Sequence, residues 1–216
     1  MVIPKMSDVY KARKIIERYL PRTITEYSSK LSELVGGDVY LKRDDQLPLG
    51  AFKVRGGLNI LANLSVEERE RGVITASTGN HGQSIANACN IFGAKAFIAL
   101  PKGANPLKVE AIKSLGAELL FHGKNFDDAR EYAERLAMQE GFRYIHPVNE
   151  PLIIAGVATQ ALEIVEDVPD VNAIFVPLGG GSGASGACIV AKSINPDIKV
   201  YAVQSESSSA GFLSWK

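Results

Sequence analysis

From Val73 to Val203 the chain alternates short apolar runs with amphipathic stretches, and no other property limits its fold so strongly. The runs Val73–Ala76, Ala96–Leu100, Glu118–Phe121, Phe142–Ile145, Ala173–Pro177 and Val200–Val203 read as strands. Helices fill the gaps. One carries Ile85, Ala88 and Cys89 and stops at Gly93; the next has Asn105 as its cap, Pro106 at its first position, and Val109, Ile112 and Leu115 inward. A third, Phe126 to Gln139, turns Ala129, Tyr132, Ala133 and Leu136 to the core, and a fourth spans Leu152 to Val165. Strands spaced by such helices require right-handed crossovers, so the pattern predicts an α/β fold whose parallel sheet is covered on both faces. Ligands of such folds sit at the carboxyl ends of the strands.

The part before Val73 is less regular. Val9, Ala12, Ile15, Ile16 and Leu20 predict a helix over Ser7–Leu20 that Pro21 stops, Val39–Lys42 a strand, and Phe52–Asn63 a helix. Ser65 with Glu68 forms a capping box for one more short helix closed by Gly72. With 216 residues, 46% of them hydrophobic and 22% charged, the chain can bury a substantial core. Lys plus Arg and Asp plus Glu balance at 24 each, which argues against nucleic acid as a partner. No apolar run approaches the roughly twenty residues of a membrane helix, and Met1–Arg13 lacks a signal-peptide core, so the reading is a cytoplasmic protein without a membrane partner. Cys89 and Cys188 fall in helical apolar patterns and are expected to be buried free thiols.

Three segments carry the chemistry. Behind the strand Ala173–Pro177 come four glycines and a serine, Gly179, Gly180, Gly181, Ser182 and Gly183, and then a helix. Backbone without Cβ atoms can wrap N–H groups around an anion, and the helix dipole adds to the attraction, so this is a phosphate cup. The same residues spell Gly181-Ser-Gly-Ala-Ser-Gly186, a pattern that also suits a dinucleotide, with Glu206 close to where the ribose-binding acid is expected. The loop Ala76-Ser-Thr-Gly-Asn-His81 follows another strand and offers a second anion site through Ser77, Thr78, Asn80 and backbone N–H groups. In Gly50-Ala-Phe-Lys-Val-Arg-Gly56, Lys53 starts a helix beside the ring of Phe52. A phosphate-sized pocket, a carboxylate-sized pocket and a lysine next to a flat ring suit a Schiff base between Lys53 and pyridoxal phosphate. Taken singly, Lys53 and Arg55 read as solvated charges, Arg43, Asp44 and Asp45 as a solvated turn, and Ser77, Thr78 and His81 as caps or packing.

Leu41-Lys-Arg-Asp-Asp-Gln-Leu-Pro-Leu-Gly-Ala-Phe-Lys-Val-Arg-Gly56, Ser77-Thr-Gly-Asn-His81 and Val176-Pro-Leu-Gly-Gly-Gly-Ser-Gly183 together resemble the threonine dehydratase and serine racemase group of pyridoxal-phosphate enzymes, with the tryptophan-synthase-like fold. That resemblance runs through the whole chain. It implies two α/β domains, a larger cofactor-binding one formed by residues 1–72 and 146–216 and a smaller one formed by 73–145. It makes Lys53 the Schiff-base lysine and the base at the substrate Cα, lays Phe52 against the cofactor ring, assigns Asn80 to the cofactor 3-hydroxyl, and gives the phosphate to Gly179, Gly180, Gly181, Ser182 and Gly183. Ser77, Thr78, Gly79, Asn80 and His81 would hold the carboxylate of a small amino-acid substrate. The reaction implied is loss of the Cα proton and β-elimination from L-threonine or L-serine to a 2-oxo acid and ammonia. Racemase or β-replacement chemistry on the same scaffold is the alternative, and a homodimer is what relatives suggest.

Four departures qualify the match. Ala51 stands where many relatives carry serine. Thr78 stands where dehydratases often have alanine and serine racemase has serine, a hydroxyl that acts as the base on the opposite face of Cα, so Thr78 is a second catalytic candidate. Gln204, Ser208 and Ala210 occupy the positions where racemase-like members place acidic cation ligands, so no metal is expected. Relatives also continue past Phe212-Leu-Ser-Trp-Lys216, so the chain reads as truncated in mid-helix, with an inactive fragment retaining the fold as a further alternative.

Overall fold

The structure, a computed structural model, describes residues 2–216. It opens with α1 (Met6–Ile16), which buries Val9, Ala12 and Ile16. The helix ends at Ile16, four residues earlier than the pattern predicts, in hydrogen-bonded turns that run up to Pro21, and Leu20 still reaches the core from them. Two elements that periodicity does not signal come next. The strand β1 (Thr25–Tyr27) pairs antiparallel with β2 (Tyr40–Lys42), and α2 (Ser29–Val35) bridges them. Three-residue strands are too short to show a period, and α2 leaves Leu31, Leu34 and Val35 in solvent, so it has no inward apolar stripe.

A 3₁₀ turn at Asp44–Gln46 leads to α3 (Lys53–Asn63), almost wholly buried from Val54 to Leu61. The capping box forms as expected. Ser65 Oγ accepts from the Glu68 N–H at 3.2 Å while the Glu68 carboxylate accepts from the Ser65 N–H at 2.9 Å, and α4 (Val66–Arg71) follows.

The alternating region is parallel throughout. It runs β3 (Val73–Ala76), α5 (Asn80–Phe92), β4 (Ala96–Leu100), α6 (Pro106–Lys113), β5 (Glu118–Phe121), α7 (Phe126–Glu140) and β6 (Arg143–Tyr144), the strands forming a sheet in the order β5-β4-β3-β6. One face packs Ala129, Ala133 and Ala137 of α7 against Ile74, Ala76 and Ala99. The other packs α5 and α3 in a core that also takes in Ile98, Ile112 and Ile145. After α8 (Pro151–Asp167), β7 (Ala173–Pro177) pairs in parallel with β8 (Lys199–Val203) across α9 (Ser182–Ile194). A second core lies between α8, α9 and this strand pair. The chain ends in α10 (Ala210–Trp215).

Cys89 is buried, and burial pushes its thiol up to about 12. Cys188 is exposed, contrary to the expectation from its pattern: α9 buries the stripe Ala187, Val190 and Ala191, and Cys188 falls one step off it. Among the described residues, no helix is long and apolar enough to cross a membrane.

Candidate active site

The first turn of α9 ends the glycine run. Its opening N–H groups have no acceptor within the helix, and Gly181 takes a left-handed φ of 99° that turns the chain into it. Ser182 is buried at this point and is the partner of Lys53, whose Nζ donates to Ser182 Oγ at 2.5 Å. The two residues are 129 apart in sequence. The expected meeting of the lysine with the glycine cup is therefore present in the fold.

The lysine is placed by its neighbours. Ser84 of α5, itself buried, donates from Oγ to the Lys53 carbonyl at 2.6 Å. The Phe52 ring lies 5.2 Å from Lys53 Nζ and against Gly183, where a Cβ would meet the ring at 2.9 Å. Gly183 thus lets the ring lie close against the cup. Burial lowers the Lys53 amine below the usual lysine range, and no neighbouring charge offsets this. A desolvated amine held by a hydroxyl at the N-terminus of a helix is a setting for a group that brings its own negative charge. Phe52, Asn80 and Gly183 line one cavity of about 390 Å³ that continues past Ala51 and Asp44 to Val176 and Ala187.

The loop 77–81 is organised by its own serine. Ser77 Oγ accepts from the N–H groups of Gly79 at 3.2 Å and Gly82 at 2.8 Å, so it caps α5 from the loop ahead of it. Thr78 and Asn80 are exposed, and of the first-turn N–H groups of α5 those of Asn80 and His81 have no acceptor within the helix. His81 is buried. Its Nε2 lies 3.1 Å from Thr75 Oγ1, and that hydroxyl donates to the Ile145 carbonyl at 2.7 Å, so the ring nitrogen is the donor and Nδ1 is left bare and unpartnered. Burial first, and then the nearby Lys53 and His146, push His81 down to about 3.

Several residues at the site carry no motif signal. Ser84 is one. Val148 is another: its side chain approaches Gly180 so closely that a Cβ there would sit 2.6 Å from it, and His146 Nδ1 holds that turn by accepting from the Val148 and Asn149 N–H groups at 3.0 and 2.9 Å. Gln204 links the strand end before the cup to α10, its Oε1 accepting from the Gly211 N–H at 3.0 Å and its amide donating to the Leu178 carbonyl at 3.4 Å. Charge pattern puts Asp44 and Arg55 at the surface, but both are buried against each other. The glycines Gly56 and Gly57, which signal close helix packing, are the sequence hint that this stretch is interior.

A family model described as pyridoxal-phosphate dependent enzyme matches residues 16–216. The chain is 44% identical over 201 residues to the L-threonine ammonia-lyase of Thermotoga maritima, covering 93% of this chain and 50% of that one. Among solved structures, serine racemase from Dictyostelium discoideum superposes with a TM-score of 0.89 at 35% identity, covering 97% of this chain and 68% of that one. The processed form of threonine deaminase isoform 2 from Solanum lycopersicum gives 0.85 at 33% identity, covering 98% and 63%. The chain thus spans about half the length of the curated relative and about two thirds of the solved ones.

Proposed function

This chain belongs to the family of pyridoxal-phosphate dependent enzymes, and we propose that the protein it represents is a threonine/serine ammonia-lyase. The observation that carries the reading is the 2.5 Å contact between Lys53 Nζ and Ser182 Oγ at the glycine cup. Gly179, Gly180, Gly181, Ser182 and Gly183 would hold the cofactor phosphate, Phe52 would lie against its ring, and Asn80 would meet its 3-hydroxyl. Bound there, the cofactor supplies an electron-withdrawing ring that can delocalise the electron pair left when Cα loses its proton.

The remaining chemistry falls to the chain's own residues. Loop 77–81 presents N–H groups and the Ser77, Thr78 and Asn80 side chains to a substrate carboxylate, with Gly79 keeping the loop close to the ligand. Lys53, desolvated and so more readily uncharged than an ordinary lysine, can take the Cα proton. His81 stays neutral and fixes the loop to β3 through Thr75. With a β-hydroxyl on the substrate, that group leaves with a proton as water, and the enamine so formed, once released, is hydrolysed by water to a 2-oxo acid and ammonia.

Racemisation is the second reading, and Thr78 favours it. Its exposed hydroxyl on the carboxylate loop could return a proton to the face opposite Lys53. The same reading assigns residues 1–72 and 146–216 to a cofactor-binding domain and 73–145 to a smaller one, and includes a homodimer acting in the cytoplasm. Incubating the protein with L-threonine, L-serine and D-serine, assayed for 2-oxo acid and for enantiomer exchange, tests it. Production of 2-oxobutyrate from L-threonine, lowered at least about 10³-fold in Lys53→Ala, is expected. Enantiomer exchange without 2-oxo acid would favour the racemase, and neither activity would defeat both.

A further inference from the structure

We propose that Arg55 is a positioning residue for Lys53: its buried guanidinium, clamped between Asp44 and Glu163, sets the roll of α3 so that the lysine faces Ser182. The clamp is complete. Arg55 is 1% exposed, and its Nε and Nη2 donate to the two oxygens of Asp44 at 2.8 and 2.9 Å. On the other side, Nη1 and Nη2 donate to the two oxygens of Glu163 at 2.6 and 3.0 Å. Thr159 accepts from Nη1 at 3.2 Å and Thr23 from Nη2 at 3.3 Å. Lys42 Nζ lies 2.8 Å from Glu163 and 3.4 Å from Asp167, so a second buried cation shares the Glu163 carboxylate with Arg55.

Stability alone is a weak reason for such a group, because replacing buried ion pairs with apolar side chains of similar volume is often neutral or stabilising. Direction is what apolar packing lacks. α3 is pressed closely between its neighbours: a Cβ on Gly56 would sit 3.1 Å from Ile153 of α8, and one on Gly57 would sit 2.3 Å from Ser84 of α5. Glycine faces fix how near the helices come and limit roll only by contact, without a directed bond at the first turn of α3. Residues two apart on an α-helix leave it about 200° from each other. Arg55 therefore grips Asp44 and α8 on one side of the first turn, and Lys53 leaves on the other, toward α9. Bidentate pairing to carboxylates from two separate elements permits one setting only.

The inference rests on reading Lys53 as the site amine, and its test uses neither cofactor nor substrate. Trace acetylation of the chain across pH, followed by peptide mass spectrometry, gives the titration midpoint of Lys53. His81 of α5, uncharged through burial, is an ionisable neighbour of the lysine and carries no charge over that range. The parent should titrate below the ordinary lysine value of about 10.4, because the amine is desolvated. In Arg55→Met/Glu163→Gln, which removes one charge of each sign, the roll is released, and the midpoint should rise to the ordinary value in a protein whose circular dichroism is unchanged. Arg55→Lys, which keeps the charge and loses the fork, should fall between. A folded double variant with the parental midpoint overturns the proposal; should that variant not fold, Arg55→Lys with the parental midpoint does so. Loss of activity against every amino acid would instead defeat the functional reading and leave this midpoint where it is.

Discussion

At the scale of single residues, the site depends on desolvating two basic side chains. Burial lowers the Lys53 amine below the ordinary lysine range, and it holds His81 uncharged, an effect reinforced by the positive charge of the lysine beside it. The histidine has a stability consequence whose sign is fixed. Its folded value of about 3 lies below the unfolded value near 6.5, so between those limits the unfolded chain holds one more proton than the native one. Its contribution is present in full above about pH 6.5 and is lost as pH falls toward 3, with a slope of at most about 1.4 kcal/mol per pH unit. Urea unfolding at pH 4 to 7 should show that slope in the parent and a shallower one in His81→Asn; equal slopes would mean that the ring titrates freely in the folded protein. Motif order makes both residues visible in the sequence. The unpartnered Nδ1 of His81 and the hydroxyl of Ser84 on the Lys53 carbonyl are not, because each depends on a contact between segments that only the fold brings together.

At the scale of elements, glycine contacts decide how closely the helices and the cup can meet. Gly183 admits the Phe52 ring, and Gly57 admits Ser84 of α5. Gly57→Ala places a Cβ 2.5 Å from the Ser84 backbone carbonyl oxygen, which no rotamer change relieves, so α3 and α5 must part. A loss of about 3 kcal/mol in unfolding free energy is expected. Gly183→Ala meets the far edge of the Phe52 ring at 2.9 Å and Val176 Cγ1 at 3.2 Å, both side-chain atoms, so its thermal midpoint should fall less than that of Gly57→Ala while affinity for pyridoxal phosphate falls about tenfold or more. Thermal melts and cofactor titrations of both variants check this, and a Gly183→Ala protein with parental affinity would separate Phe52 from the cofactor site. Element identity is most legible where the pattern is regular: β3, β4, β5 and β7 fall where their apolar runs place them. β1 and α2 escape because one is three residues long and the other turns its apolar side chains outward.

At the scale of the whole molecule, the parallel α/β architecture follows from strand and helix spacing, whereas the break into two parallel sheets does not. Nothing in an alternating sequence marks where one sheet stops and another starts. The separation matters because it leaves α3 and α5 packed together between the β3-containing sheet and the α8, α9 layer, and it opens the cavity beside the cup. Buried charge is the other feature that composition hides, since Arg55, Asp44 and Glu163 look like surface residues until three elements converge on them. The central claim is that this fold brings one amine, at position 53, to the glycine cup. Incubating the 216-residue chain with pyridoxal phosphate, reducing it with borohydride and mapping the labelled peptide tests that claim most directly. A single label on Lys53, suppressed by excess inorganic phosphate, is the predicted result; label spread over surface lysines with Lys53 spared would contradict it.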